Sequence, residues 1–199
     1  MKMSQPIWRG FKNSAFGGFM KYILASASPR RKELLSLFIK DFEIIPSKIP
    51  EIVPDGLEAE KHSEYLARLK ANDIAKDFKC DVVIGADTSV ILENEILGKP
   101  KDREDAKRML QMLSGNIHKV ITGCAVVKNG VCNSFSVTTE VEFFELCDEE
   151  IEDYLNTNEP YDKAGSYGIQ SLGGLFVSAI KGDYFNVVGL PVAHLKRFL

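Results

Sequence analysis

The chain has 199 residues, of which 45% are apolar and 27% charged, and its formal net charge is −3. Such a length and composition are typical of one globular domain with its own core, and they exclude collagen-like, disordered and disulfide-stapled proteins. No apolar run approaches the roughly 20 residues that span a bilayer, and the acidic balance argues against nucleic-acid binding. We therefore expect a soluble protein with neither a membrane nor a nucleic acid as partner.

The N-terminal segment, residues 1–19, differs from the rest of the chain. It carries Lys2, Arg9 and Lys12 but no acidic residue, and it lacks the continuous apolar stretch of a secretory signal. We interpret it as an N-terminal extension, either disordered or not native to the protein. Residues 20–199 are then predicted to form a single domain.

The first half of this domain alternates short apolar strands with helical patterns. The expected elements, in chain order, are a strand at 22–25, a helix from Pro29 capped by Ser28, a strand at 42–45, a helix over 58–77, a strand at 81–84 and a helix from Asp102 to Leu113. The 81–84 strand is predicted to end in the turn-like run Gly85 to Thr88, and strand character resumes at 90–92.

The second half has a different pattern of apolar residues. Two apolar runs, 120–127 and 131–144, flank Asn129-Gly130, which is a strong hairpin signal. Helices are expected at 148–156 and 191–199, and the glycines between them are expected to separate short strands. Alternation and a hairpin together predict an α/β fold with a mixed central sheet and flanking helices.

The four cysteines form no C-x-x-C pair and lie far in sequence from the three histidines. A thiolate–imidazole metal site is therefore not expected. We interpret the cysteines as small buried side chains in a reducing compartment, which favours a cytoplasmic location.

The run Ser26-Ala27-Ser28-Pro29-Arg30-Arg31-Lys32 lies at a predicted strand-to-helix turn. A helix N-terminus presents unpaired N–H groups and the positive end of the dipole, both of which suit an anion. Consecutive cations are unfavourable there unless a negative group binds. The run therefore predicts a phosphate pocket, and the alternative is a solvated basic patch.

Two carboxylates and two lysines extend this prediction. Asp87 follows a buried strand, where ligands of α/β sheets bind, and Glu51 in the proline-flanked loop is a candidate second carboxylate. Such acids hold a divalent cation or position water, although each could instead cap local backbone. Lys70 and Lys99 are candidate phosphate partners, and each alone could be an ordinary surface lysine.

The segment 161–170 contains closely spaced glycines that would let the backbone approach a ligand. Its last residue, Gln170, carries an amide that can read the edge of a base. A phosphate site lined by cations, together with a polar side chain that recognises a base, indicates a nucleotide hydrolase.

The sequence also resembles the Maf family of nucleoside triphosphate pyrophosphatases, known historically as septum-formation inhibitors. The matching motifs, in chain order, are L-A-S-x-S-P-R-R (24–31), G-A-D-T (85–88), G-K-P (98–100), S-G-N-x-H (114–118), D-K-A-G-S-Y-G-I-Q (162–170) and V-V-G-L-P (187–191). The resemblance runs from about Lys21 to the C-terminus. The residues before it depart from the family pattern, in which the first motif lies close to the initiating methionine.

This resemblance implies two lobes around a cleft, as in inosine triphosphate pyrophosphatases, and a homodimer. It implies hydrolysis between the α- and β-phosphates with Mg²⁺ or Mn²⁺. The implied roles are a proton acceptor that also binds metal (Asp87), a metal ligand (Glu51) and triphosphate binders (Ser26, Arg30, Lys70, Lys99).

The resemblance further implies that Arg31, Thr88 and Gln170 select dTTP and UTP, and that the enzyme clears non-standard pyrimidine nucleotides. Gln170 can pair with a pyrimidine imide edge through one donor and one acceptor. Two alternatives stay open. One is the 7-methyl-GTP branch of the family, and the other is a non-catalytic nucleotide-binding regulator of cell division.

Overall fold

The computed structural model describes residues 20–199, so the predicted extension, residues 1–19, lies outside the described residues. The strands are β1 (Tyr22–Leu24), β2 (Glu43–Ile44), β3 (Val82–Leu92), β4 (Glu95–Leu97), β5 (Ile117–Lys128), β6 (Val131–Phe143) and β7 (Val177–Lys181). The helices are α1 (Pro29–Ser36), α2 (His62–Ala75), α3 (Arg103–Leu113), α4 (Asp148–Leu155), α5 (Tyr184–Val188) and α6 (Val192–Phe198). None of these helices has the length and apolar character needed to cross a membrane.

The strands form one seven-stranded sheet in the order β2-β1-β3-β5-β6-β7, and β4 also pairs with β3. β1 pairs in parallel with β2 and β3, whereas the other pairs are antiparallel. The predicted mixed α/β sheet is confirmed. The hairpin between β5 and β6 turns at Asn129 and Gly130, whose φ angles of 52° and 76° are the positive values that a tight hairpin needs.

The predicted break in β3 at Gly85 to Thr88 is wrong. β3 is one strand of 11 residues, and it pairs with β5 from Val83 to Ile91. Along the other edge of β3, β1 pairs with residues only as far as Ile84, and the pairing with β4 starts at Val90 of β3. In the described part of the chain, residues 85–89 therefore have a strand neighbour on the β5 edge alone, and the sheet opens beside them.

The two faces of β3 pack against different helices. On one face Val83 packs with Ala67 and Ala71 of α2. Gly85 allows this approach, because a Cβ on it would lie 2.9 Å from the Cβ and backbone N of Ala71 and would collide with the carbonyl oxygen of Ala67. On the other face Ile84 packs in a core formed with α1, α5 and α6.

A second lobe lies beyond the opening in the sheet. Its core joins α3 and α4 to an aromatic cluster that includes Phe143, Tyr154, Tyr167 and Phe176. The short strands expected from the glycines of this region are wrong. Among the described residues, β7 is the strand that forms there, together with helix α5 and 3-10 turns at Pro160–Asp162, Ala164–Ser166 and Leu172–Phe176.

Packing explains that error. Gly165 adopts a φ of 68°, which turns the chain, and a Cβ on Gly173 would lie 2.8 Å from the Tyr154 hydroxyl. These glycines therefore fold the backbone tightly over the aromatic core instead of separating strands.

The expectation of four buried cysteines is also wrong for Cys80 and Cys147, which are exposed, and right for Cys124.

Candidate active site

A cleft of about 880 Å³ lies between the two lobes, where β3 is open on one edge. The nine residues predicted from the sequence all line it, namely Ser26, Arg30, Arg31, Glu51, Lys70, Asp87, Thr88, Lys99 and Gln170. They come from α1, α2, β3 and the loops around them. The fold thus brings together residues that are up to 144 positions apart in sequence (Ser26 and Gln170).

Two carboxylates meet one ammonium group on the α2 side of β3. The Nζ of Lys70 lies 2.7 Å from Oδ1 of Asp87 and 2.8 Å from Oε1 of Glu51. The side chains of Lys70 and Asp87 are each 14% exposed, whereas that of Glu51 is 55% exposed. Lys70 of α2 therefore holds Asp87 in a largely buried position, whereas Glu51 extends into the cleft from an exposed loop.

The other side of β3 carries a guanidinium group with hydroxyl and carbonyl partners. Arg31 donates from Nε to the carbonyl of Gly189 at 2.9 Å, from Nη1 to Oγ of Ser26 at 3.2 Å and from Nη2 to Oγ1 of Thr88 at 3.0 Å. Burial lowers the pKa of Arg31, and the charge of Asp87 partly opposes this effect. The guanidinium still stays protonated at neutral pH.

The N-terminus of α1 has the predicted cap. Ser28 accepts a hydrogen bond from the backbone N–H of Arg31 at 3.4 Å, Pro29 takes the first helical position, and no acidic residue lies in the first turn. The positive end of the helix and the Arg30 side chain both border the cleft. This arrangement favours an anion at that end.

Two charged residues of the cleft received no role in the sequence analysis. Asp162 accepts hydrogen bonds from Nη1 of Arg30 at 3.3 Å and from Nζ of Lys163 at 2.6 Å. Lys163 also donates to the carbonyl of Glu159 at 2.7 Å, and its side chain is 14% exposed. Their place within the D-K-A-G-S-Y-G-I-Q motif was the signal that could have identified them. The Arg30–Asp162 pair bridges the two lobes across the cleft.

Glu159 supports the loop that carries Gln170. Its carboxylate accepts hydrogen bonds from the backbone N–H groups of Leu172 and Gly173 and from the hydroxyl of Tyr154, at 3.0–3.2 Å. These donors lower the pKa of Glu159 although burial works in the opposite direction. The loop is thus held against α4 while Gln170 stays exposed at the cleft.

The wall of the cleft in the second lobe includes Tyr167, whose hydroxyl lies 2.8 Å from Nε2 of His118. His118 is buried, and burial lowers its pKa to about 4. Its other ring nitrogen, Nδ1, is buried with no hydrogen-bond partner in the described part of the chain. The imidazole is therefore neutral at physiological pH.

The carboxylates of the cleft suit a hard divalent cation. Residues 20–199 contain no group of three or more His, Cys, Asp or Glu side chains arranged to hold a metal. Asp87 and Glu51 nevertheless both contact the Nζ of Lys70, so their carboxylates lie close together at the cleft. Mg²⁺ commonly takes one or two carboxylates from the protein and completes its shell with water and substrate phosphates. The pair therefore provides what a substrate-bridged cation requires.

The similarity of this chain to known proteins extends over all the residues of the cleft. The family described as Maf-like protein matches residues 21–199. Relatives named dTTP/UTP pyrophosphatase include one from Bacillus cytotoxicus, 49% identical over 179 residues (90% of this chain, 94% of the relative), and one from Clostridium novyi, 51% identical over 182 residues (89% and 95%). Among solved structures, the Ham1 protein of Staphylococcus aureus has 16% identity and a TM-score of 0.47 over 62% of this chain and 71% of that chain. The matched range includes every residue of the site described above.

Proposed function

The chain belongs to the Maf-like protein family, and we propose that it is a nucleoside triphosphate pyrophosphatase that hydrolyses dTTP and UTP to the monophosphate and pyrophosphate. Relatives that are about half identical over nine-tenths of the chain carry that name. The observation that carries the proposal is the single cleft, in which the Asp87–Lys70–Glu51 cluster lies on one side of β3 and Arg31 with Thr88 on the other. The first group suits triphosphate chemistry and the second suits recognition of a base.

The cations of the cleft bind and polarise the triphosphate. Arg30 and the N-terminus of α1 face the cleft from one lobe, and Lys99 faces it from the other. The leaving pyrophosphate gains negative charge as the α–β bond breaks, so cations fixed in advance stabilise the transition state more than the ground state. Ser26, which is held by Arg31, offers a hydroxyl beside these groups.

Asp87 is the proposed proton acceptor. The water that attacks the phosphorus loses its proton to this carboxylate, while the electron pair of the α–β bond leaves with pyrophosphate. Lys70 orients Asp87 through a 2.7 Å contact, because α2 fixes the base of the lysine side chain. Glu51 and Asp87 would hold Mg²⁺ or Mn²⁺, and such an ion would neutralise phosphate charge and lower the pKa of bound water.

The main test is pyrophosphate release from dTTP, UTP, CTP and 7-methyl-GTP with Mg²⁺ or Mn²⁺ and after chelation. We expect fast release from dTTP and UTP that Asp87→Asn lowers by at least about a hundredfold, in keeping with the loss of a general base. The matched control is Asp153→Asn, which removes an exposed carboxylate on α4 and should leave turnover unchanged.

Three results would contradict the proposal in different ways. Full turnover by Asp87→Asn would refute the role of that residue. A preference for 7-methyl-GTP would retain the reaction and assign the chain to the other branch of the family. Nucleotide binding without hydrolysis would favour a non-catalytic regulator of cell division.

We also propose a cytoplasmic enzyme that clears non-standard pyrimidine nucleotides. All four cysteines are unpaired, which suits a reducing compartment. The homodimer implied by the family resemblance stays a prediction, and light scattering on the purified chain would test it.

A further inference from the structure

A chain of hydrogen bonds leads from the cleft into the centre of the sheet. Oγ1 of Thr88 lies 2.9 Å from Oγ1 of Thr122 on β5, and Thr122 donates to the backbone carbonyl of Asn186 at 2.8 Å. Thr122 and Asn186 are completely buried. Neither residue lines the cleft, and the sequence motifs gave no role to either.

The direction of each hydrogen bond in this chain follows from elementary valence. A backbone carbonyl only accepts, so the single hydroxyl proton of Thr122 is committed to Asn186. Thr122 therefore accepts in its contact with Thr88, and the hydroxyl proton of Thr88 points inward. A buried hydroxyl without its partner costs free energy, which keeps this arrangement in place.

The position of Asn186 is itself fixed. Its side-chain oxygen accepts from the backbone N–H of Thr122 at 3.1 Å, and its side-chain nitrogen donates to the carbonyl of Val120 at 2.9 Å. Because one partner can only donate and the other can only accept, the amide has one orientation. The carbonyl that orients Thr122 therefore cannot turn away.

Thr88 consequently presents only an acceptor to a ligand. One lone pair on its oxygen accepts from Nη2 of Arg31, its proton is directed to Thr122, and the remaining lone pair is available at the cleft. Arg31 has five N–H groups, and three of them are bonded to Gly189, Ser26 and Thr88. Two donors of the guanidinium thus remain beside one acceptor.

We propose that Thr122, held by Asn186, is a specificity-determining positioning residue that fixes Thr88 as a hydrogen-bond acceptor for the base. The proposal rests on the proposed function. The ligand class is a base whose pairing edge carries an N–H next to a carbonyl. Uracil and thymine place N3–H beside a carbonyl, so the N–H donates to Thr88 and the carbonyl accepts from Arg31. Cytosine presents a lone pair at N3, which would face the lone pair of Thr88.

The test compares UTP with CTP in four proteins: wild type, Thr122→Val, Thr122→Ser and Thr139→Val. In Thr122→Val the Thr88 proton is released and can turn toward the cleft. We expect the ratio of kcat/KM for UTP to that for CTP to fall by about tenfold or more, which is the order expected for one mispaired buried group. Thr122→Ser keeps the hydroxyl and should retain the wild-type ratio.

Thr139→Val is the matched control. It removes a buried hydroxyl that bonds to the Asn186 side chain at 2.9 Å and to the backbone of Asp183, so it disturbs the same buried region without removing either partner of the Thr122–Asn186 or Thr88–Thr122 contact. An equal fall in the ratio for this variant would mean that loss of packing, not proton direction, is responsible, and would overturn the proposal. An unchanged ratio in Thr122→Val would overturn it as well.

Two further measurements keep the test independent of folding and of turnover. N3-methyl-UTP has no N3–H, so the wild-type protein should use it at least about tenfold less well than UTP, and equal use would refute the proposal. Calorimetric binding of α,β-imido-UTP and α,β-imido-CTP reads the same selectivity without hydrolysis. Selective binding without turnover would contradict the proposed function alone, whereas equal binding of both analogues by wild type would contradict the inference.

Discussion

Gly85→Ala tests how the sheet positions Lys70. Gly85 lies beneath α2, between the backbone of Ala67 and that of Ala71. An added Cβ would lie 2.9 Å from two atoms of Ala71 and closer still to the carbonyl oxygen of Ala67, whereas ordinary contact begins near 3.4 Å, so the helix would have to move by clearly more than about 0.5 Å. The obstructing atoms include backbone, which cannot rotate away.

The expected cost follows from that displacement. Overpacking of a tight core costs roughly 1–3 kcal/mol, and contacts with helix backbone place Gly85→Ala at the upper end. In a chain of this size, about 3 kcal/mol corresponds to a fall in Tm of roughly 6–12 °C. Lys70 lies on α2 between the two obstructed residues, so its 2.7 Å contact with Asp87 would lengthen. We therefore also expect kcat to fall on the order of tenfold, because misplacement by about 1 Å can cost a hundredfold.

The assay combines thermal unfolding by circular dichroism with pyrophosphate release at a temperature at which the variant is folded. Gly98→Ala is the control for stability, because nothing lies within 4 Å of a Cβ there. A Tm for Gly85→Ala within about 2 °C of wild type would refute the packing argument. A lower Tm with an unchanged kcat would refute the link between the position of α2 and that of Lys70.

Two further predictions concern charges around the cleft. Burial lowers the pKa of His118 from 6.5 to about 4, so the unfolded state binds more protons between those values and stability falls as the pH drops through that range. Replacing His118 with Gln removes this titration, so the loss of unfolding free energy between pH 7 and pH 5 should be smaller by roughly 2 kcal/mol than in wild type. Urea unfolding curves with the same pH dependence as wild type would contradict this prediction. Asp162→Asn releases Arg30 from a partly exposed ion pair, so the KM for dTTP should fall by up to about fivefold in steady-state assays; a higher KM would show that Asp162 itself contributes to binding.

Local sequence signals predicted those elements whose structure is set by local chemistry. Ser28 and Pro29 begin α1 and Asp102 caps α3, because a short polar side chain and a preset φ act within a single turn. Asn129 and Gly130 form the hairpin for the same kind of reason. The continuity of β3 through Gly85 depends on long-range pairing with β5 and on the approach of α2, and neither is visible in a local window.

The site was predictable in its residue types but not in its connections. Seven of the nine predicted residues lie in the sequence motifs, and Glu51 and Lys70 were single candidates outside them, yet no local signal could indicate that Arg30 bonds to Asp162, which lies 132 positions away. Thr122 and Asn186 were missed because a threonine in an apolar strand and an asparagine in a short helix carry no distinctive local pattern. Their roles appear only once β5 and α5 have packed against each other.

The alternation of side chains along β3 gives the site its division of labour. Asp87 faces α2 and meets Lys70, while the next residue, Thr88, faces α1 and meets Arg31. Within residues 20–199, no strand pairs with this edge of β3 from residue 85 to residue 89, which leaves both sides open to one ligand. Consecutive residues can therefore serve the phosphates and the base of one nucleotide, and their spacing is set by the strand instead of a flexible loop. Register matters for the same reason: a slip of one residue in β3 would turn the carboxylate toward Arg31 and the hydroxyl toward Lys70, which would disrupt both halves of the site at once.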